Sequence, residues 1–486
     1  MNPKKINYPL ILLVILLFYL CYIIYSLASN QAILADDLVQ LQTNNNLENK
    51  NYFQFLQNFL DSAQMSPRPV SGIVYLTISY VSQFHYSYYF LGLLFFPINT
   101  LVLYFVTKKL WGDYTAIILT LIYSLLFFGT TMQFSPIMLN ANLATIFWLL
   151  SVNFLIGTTQ AKTHLFLSIF CFLLSVLSYE IFAPAIFLLI LLIKNNKTRF
   201  FYFSLSISLL LLYRKISAPW FFSQEYHREN LASILDFKRD GLVLVLMVKM
   251  FFRDIFVVVY KSFLNLYQIN LLEVVFLIST TILVYLTTLQ LSKKFDGILI
   301  KKILKIALFG LLLSLLIFFF STYKPTLFGF DNRNLGAVRL FFSVLLVAVF
   351  FLLTQNLKPM LKSAIISGLV MILMICSISL KNAWIYASDF NNTMFSTLSQ
   401  DVKKIKTDCV KIDFYDQPFV QKNPNFILRE PIFFYDWESD FLCRKNGIDP
   451  KKINVVNMLR KNNCNLIYNY PNRTFTYDEN SNKSNQ

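Results

Sequence analysis

The feature that most constrains this chain is a succession of apolar runs long enough to cross a bilayer, repeated from Tyr8 almost to Leu380. Hydrocarbon offers a backbone no hydrogen-bond partner, so each run has to satisfy its own N–H and C=O groups inside a helix of about 20 residues. Composition agrees: 56% of residues are hydrophobic and 14% charged, where a soluble domain carries about 25% charged residues. A soluble enzyme of this length is excluded. The 50 Phe and 27 Tyr against 12 Gly point to helices packed through aromatic bulk rather than through small-residue contacts.

The first apolar run, from Tyr8 to about Ser26, follows Lys4 and Lys5 and lacks a small-residue cleavage pattern, so it reads as a retained helix. Asn30 to about Arg68 is too polar for hydrocarbon and becomes a first outer loop, 29–87. Val70–Phe84 is apolar but short and reads as an interfacial helix within it. Further spans are expected near 88–107, 114–132, 140–157, 165–178, 180–193, 199–213, 270–291, 303–321, 336–354 and 360–379, which gives about eleven with the first. A second large outer loop covers 214–269, and its stretch 241–260, interrupted by Lys249, Arg253 and Asp254, is placed on the outer membrane surface. A last outer loop covers 322–335.

The formal charge is +17. Its excess falls on the loops of one side, in Lys4-Lys5, Lys108-Lys109, Lys293-Lys294, Lys301-Lys302 and Lys305, opposed there only by Asp113 and Asp296. Such asymmetry is a topology signal that places the N-terminus in the cytoplasm, and it is not a nucleic-acid footprint. From about Asn391 the chain turns polar, with β-prone runs at 409–415 and 464–468. The expected fold is therefore an all-α polytopic membrane domain, 1–386, followed by a small extracytoplasmic α/β domain, 387–477, and a tail of disordered composition, 478–486. The six cysteines show no zinc or haem spacing, and Cys409, Cys443 and Cys464 leave room for one tail disulfide whose partners the sequence does not specify.

Charges beside membrane spans are costly and need a reason. Asp36-Asp37 opens the first outer loop, where a carboxylate can take a proton from a hydroxyl or cap the helix that Leu38 begins. Pro67-Arg68-Pro69 holds a guanidinium at headgroup depth, suited to phosphate or to snorkelling. Ser178-Tyr179-Glu180 sits inside an apolar stretch, and Glu180 needs a wet cavity or a cation such as Arg214 or Arg339. Tyr323-Lys324, Arg333 and Arg339 gather three cations around a late outer loop. His227 lies in a polar outer loop that suits acceptor contacts or plain solvation, and the three histidines are too scattered for a metal.

An acidic pair after the first helix, an Arg-Pro before an apolar stretch, a Ser-Tyr-Glu between short helices and a late loop with Arg together resemble the integral-membrane glycosyltransferases of the GT-C superfamily, over roughly residues 8–380. The similarity is greatest to the bacterial branch that decorates lipopolysaccharide, O-antigen or other surface glycans. The resemblance implies an enzyme of the bacterial inner membrane that moves a sugar, with inversion, from a polyprenyl-phosphate donor to a glycan, lipid or protein acceptor at the outer face. It implies Asp36 or Asp37 as general base with Glu180 as an orienting carboxylate, Arg68, Lys324, Arg333 and Arg339 on the donor phosphate, and Tyr179, His227 and Tyr323 on acceptor or sugar. No cofactor is required; a divalent metal, which some members of the superfamily use, is left open. A flippase for lipid-linked sugars and an O-antigen polymerase are the competing readings.

Overall fold

The computed structural model describes residues 7–47, 51–60, 65–81, 86–156, 162–221, 236–291, 297–414, 416–432, 436–458 and 464–477. Its helices begin with α1 Tyr8–Ser29, α2 Asp36–Leu47, α3 Tyr52–Leu60, α4 Pro69–Val81, α5 Phe95–Leu125, α6 Thr131–Phe134, α7 Leu139–Leu155, α8 Lys162–Ser178 and α9 Ile186–Leu192. They continue with α10 Asn196–Leu212, α11 Ala218–Phe221, α12 Phe237–Lys249, α13 Ile255–Leu264, α14 Leu271–Leu291, α15 Gly297–Phe320, α16 Gly336–Thr354 and α17 Pro359–Val402. α18 Asp416–Lys422 and α19 Asp436–Lys445 belong to the C-terminal appendage.

Among the described residues eight helical segments are long and apolar enough to cross a membrane. The chain is a polytopic helical membrane protein, but the expected count of about eleven is corrected. Two of the expected spans, 165–178 and 180–193, are only short helices, because Tyr179 adopts extended backbone (φ −161°, ψ 130°) and ends α8 before a tight turn over Glu180–Ala185. Two others, 88–107 and 114–132, are the two arms of one segment, Tyr89–Leu125, which counts once among the eight. This segment is a hairpin. Gly112 (φ 85°) breaks it, the Asn99 amide donates to the Tyr123 hydroxyl at 2.7 Å, and Phe96 stacks on Tyr123. Along a straight helix those residues would stand about 36 Å apart.

The helices show why both faces are apolar. In α1, Leu12, Leu16, Tyr19, Leu20, Ile23 and Leu27 recur at three- and four-residue spacing and are buried against the bundle, while Leu10, Val14, Phe18 and Tyr25 are exposed. α17 has 44 residues, about 66 Å of helix and about twice a hydrocarbon core. It therefore crosses and projects, running through residue 386, where the sequence divides the two domains. On the way Lys381 pairs with Glu273 of α14, which also accepts from the Tyr22 hydroxyl of α1 at 3.2 Å.

The projecting end of α17 carries a four-stranded sheet of order β2-β1-β3-β4, with β1 Cys409–Asp413, β2 Asn454–Asn457, β3 Leu466–Asn469 and β4 Thr474–Tyr477. β1 is parallel to β2 and β3, so α18 and α19 fill the crossover that a parallel pair requires. Asp401 of α17 accepts from Tyr468 at 2.7 Å and from Arg473 through two bonds of 3.1 Å. A disulfide joins Cys409 to Cys464. α12 and α13 run on from each other through Met250–Asp254 as a helix that turns an i, i+4 stripe of Leu244, Val248, Phe252, Phe256 and Tyr260 outward. At its start Arg239 caps carbonyls at the end of α15, and at its end Lys261 donates to Gln421 and Phe426 carbonyls of the appendage.

Candidate functional site

The local backbone sets the direction of each acidic side chain. α1 closes when Asn30 donates to the Ser26 carbonyl and Gln31 enters the left-handed region (φ 48°). Ala35 does the same (φ 55°) immediately before Asp36-Asp37. Left-handed backbone costs a residue with a side chain about 1–2 kcal/mol, so the surrounding packing holds this turn in place.

Asp37 points into the bundle and is fully buried. It accepts from the Tyr89 hydroxyl at 2.6 Å, the Ser135 hydroxyl at 2.6 Å and the Ile137 N–H at 2.9 Å. Burial pushes its carboxyl up to about 7 against the pull of these three donors. Its task is to tie the start of α2 to the Ser135-Pro136 turn before α7. Its oxygens are taken up by these bonds, so of the two adjacent acids only Asp36 keeps a partly exposed carboxylate.

Asp36 points the other way and pairs with Arg333, the two side chains keeping 33% and 17% of their exposure. Arg333 is placed by its neighbours: Asn332 and Asn334 are buried, Asn332 donates to the Leu327 carbonyl at 2.8 Å, and Asn334 accepts from the Tyr179 hydroxyl at 2.5 Å. The alternation Asn-Arg-Asn fixes the loop from below and leaves the guanidinium on the Asp36 side.

Beside this pair, Arg68 donates to both oxygens of Glu180, Nε to Oε2 at 2.9 Å and Nη2 to Oε1 at 2.6 Å. The Tyr323 hydroxyl accepts from Arg68 at 2.7 Å and donates to Glu180 at 2.9 Å. The Arg68 guanidinium also lies 4.4 Å from the Tyr179 ring centre. The carboxylate that the sequence left in need of a cation thus has Arg68, with the charge of Arg214 acting on it as well, while the Arg339 guanidinium is bonded elsewhere. Tyr179 links the two ion pairs, since its ring faces Arg68 and its hydroxyl reaches the Arg333 loop. Lys324, next to Tyr323, is exposed.

The structure separates Arg339 from this group. It is fully buried in α16, donates to the carbonyls of Tyr123 (2.7 Å), Ser124 (3.0 Å) and Gly129 (3.4 Å), and lies between the Phe96 and Tyr123 rings. It satisfies carbonyls at the end of α5 and in the turn that follows it. Arg339, expected among the donor-phosphate cations, is thus not brought together with Arg68 and Arg333. His227 lies outside the described residues. Tyr89, Ser135 and Asn334 are contributors that the sequence reading missed; Ser135-Pro136 is the one with a local signal, a helix-start pair.

The appendage reaches the same end. The Gly329 N–H donates to the Leu428 carbonyl at 2.7 Å, Arg429 stacks 4.3 Å over Phe328, and α19 packs against α2. Glu430, buried beside them, has its carboxyl pushed up to about 7 by burial. Among the described residues no group of three His, Cys, Asp or Glu side chains is arranged to hold a metal. Chemically, the arrangement offers the partly exposed Asp36 carboxylate and the exposed Asp331 carboxylate beside Arg333, guanidinium groups already bonded to carboxylates that an anionic ligand can replace, and the exposed Lys324 ammonium. Comparison with known proteins returns no significant match to a family model, a curated protein or a solved structure.

Proposed function

We propose that the protein is a membrane glycosyltransferase that takes a sugar from a polyprenyl-phosphate donor and passes it to a glycan, lipid or protein acceptor at the outer face of a bacterial inner membrane. The observation that carries this reading is the convergence of Asp36, Arg333, Arg68, Glu180 and Tyr323, from four separate parts of the chain, into one cluster where the helices end. The Cys409–Cys464 disulfide supports an oxidising compartment for the appendage, on the same end as that cluster. The lysine-rich loops at the other end support a cytoplasmic N-terminus.

In this reading the donor phosphate enters from the membrane and takes over Arg333, with Lys324 as a second cation. Displacing Asp36 from its guanidinium leaves a carboxylate free to accept the proton of the attacking acceptor hydroxyl. The glycosidic C–O bond forms as the sugar–phosphate bond breaks, and the cations stabilise the charge left on the lipid phosphate. The Arg68–Glu180–Tyr323 unit holds the wall beside them. Mass spectrometry of surface glycans from cells making wild type or Asp36→Asn at equal levels tests this. The expected result is loss of one sugar mass with accumulation of lipid-linked donor; unchanged glycans at full expression would overturn it.

A further inference from the structure

At the end of the bundle away from Asp36, the first arm of α5 and helices α7, α9, α15 and α16 enclose a cavity of about 530 Å³. Its walls are apolar, among them Val106, Trp111, Trp148, Leu189 and Phe341. The size suits a small ligand or a length of hydrocarbon chain. It lies between helices that are apolar on their outer faces as well, so what reaches it comes from the lipid phase.

The mouth has a different chemistry. Lys301, Lys302 and Lys305 line it from the first turns of α15, and all three are exposed. The spacings i, i+3 and i, i+4 bring their ammonium groups onto one side of the helix, where like charges repel unless an anion lies between them. Among the described residues none of the three forms an ion pair. Lys305 stands fifteen residues before the end of α15 at Phe320, about 22 Å of helix from the Tyr323 cluster, so this is not the donor-phosphate cluster seen from another side.

We propose that this cavity is a binding site for an anionic glycerophospholipid of the leaflet at the lysine-rich end, with one acyl chain between α5, α7 and α16 and the headgroup phosphate on Lys301, Lys302 and Lys305. An apolar slot alone accepts any lipid chain, and a lysine cluster alone orients a helix. Their combination at one mouth selects a chain that carries a negative headgroup. The site is independent of the glycosyltransferase reading.

Trp111 and Trp148 in the wall supply the assay. The full chain, with the exposed Trp220 replaced by Phe, is placed in phosphatidylcholine nanodiscs, and its fluorescence is followed as lipid brominated on the acyl chain is added. Brominated phosphatidylglycerol should quench at low mole fraction and saturate, whereas brominated phosphatidylcholine should quench weakly and in proportion to its amount. Lys301→Gln/Lys302→Gln/Lys305→Gln should raise the half-saturating fraction of phosphatidylglycerol about a hundredfold, from about fivefold for each lysine. Trp111→Phe/Trp148→Phe should remove the saturable component. Equal quenching by the two lipids in the wild type, or an unshifted curve in the lysine variant, would overturn the proposal. The lipid comparison uses the wild-type lysines, so it stands whether or not that variant folds.

Discussion

Removing Glu180 alone should destabilise the protein more than removing Glu180 and Arg68 together. The two side chains keep only 14% and 7% of their exposure and share bonds of 2.6 and 2.9 Å, with Tyr323 bonded to both. Glu180→Leu strands a guanidinium in a pocket walled by Tyr179, a loss of about 3–5 kcal/mol for a buried pair broken on one side. Arg68→Met strands the carboxylate and should cost about as much. The double variant removes both charges and takes from the Tyr323 hydroxyl the two bonds it makes with them, about 1–3 kcal/mol. Arg214, whose charge also acts on Glu180, keeps that figure above zero. The coupling energy should therefore be several kcal/mol, read from the midpoints of reversible unfolding in mixed detergent micelles followed by tryptophan fluorescence. Single losses that add to within about 0.5 kcal/mol would mean the residues do not act as a unit, and the site would lose its rigid wall.

Arg339→Lys should lower stability by about 2–4 kcal/mol, because one ammonium cannot serve three carbonyls that a planar guanidinium spans; transfer per folded molecule should be unchanged, and a selective loss of donor use would return Arg339 to the site. Gly112→Ala should cost about 1–3 kcal/mol from backbone alone, since φ is 85° and a methyl group meets nothing within 4 Å; an unchanged melting temperature would contradict the hairpin. Asp37 and Glu430 both have folded-state values near 7, above the ordinary carboxylate range. The folded protein then binds more protons than the unfolded chain between about pH 4 and 7, so stability should fall as pH rises through that window. Asp37→Asn and Glu430→Gln should each flatten the slope of melting temperature against pH, and a slope of the opposite sign would refute the assignment.

Periodicity and length made the membrane helices legible, because an apolar run in lipid has few alternatives to a helix. What they could not separate is a run that crosses from one that turns. Leu165–Ile193 is continuous in hydropathy; Tyr179-Glu180 marked the place of its break, but that the two pieces are short helices and not two spans goes with Glu180 reaching Arg68, a residue far away in sequence. The break at Gly112 is the opposite case: Lys108, Lys109 and Asp113 mark a polar tip around a glycine, so two helices were readable although their backbone remains continuous enough to be one segment. The strands at 409–415 and 464–468 were readable from β-prone runs, while the two edge strands were not: β2, Asn-Val-Val-Asn, has no alternation, and β4, Thr-Phe-Thr-Tyr, runs directly into the polar tail.

The acidic pair shows why the site itself was only half legible. Successive residues at the start of a helix differ by about 100° in direction, so two adjacent carboxylates cannot serve the same place. Which one faces the cations depends on the turn before them, and that turn depends on Ala35 taking a left-handed conformation that no residue type at this position announces. Once the turn is set, Asp37 is drawn into a buried, three-donor site and fastens α2 to the start of α7, and Asp36 is left beside Arg333. The cations divide by the same rule. Arg333 and Arg339 are six residues apart, yet one lies in a loop whose neighbours point it outward and the other enters a helix whose face is packed on α5. Residue type identifies what a side chain can bind; the elements on either side of it decide whether it is offered to a ligand or consumed by the fold.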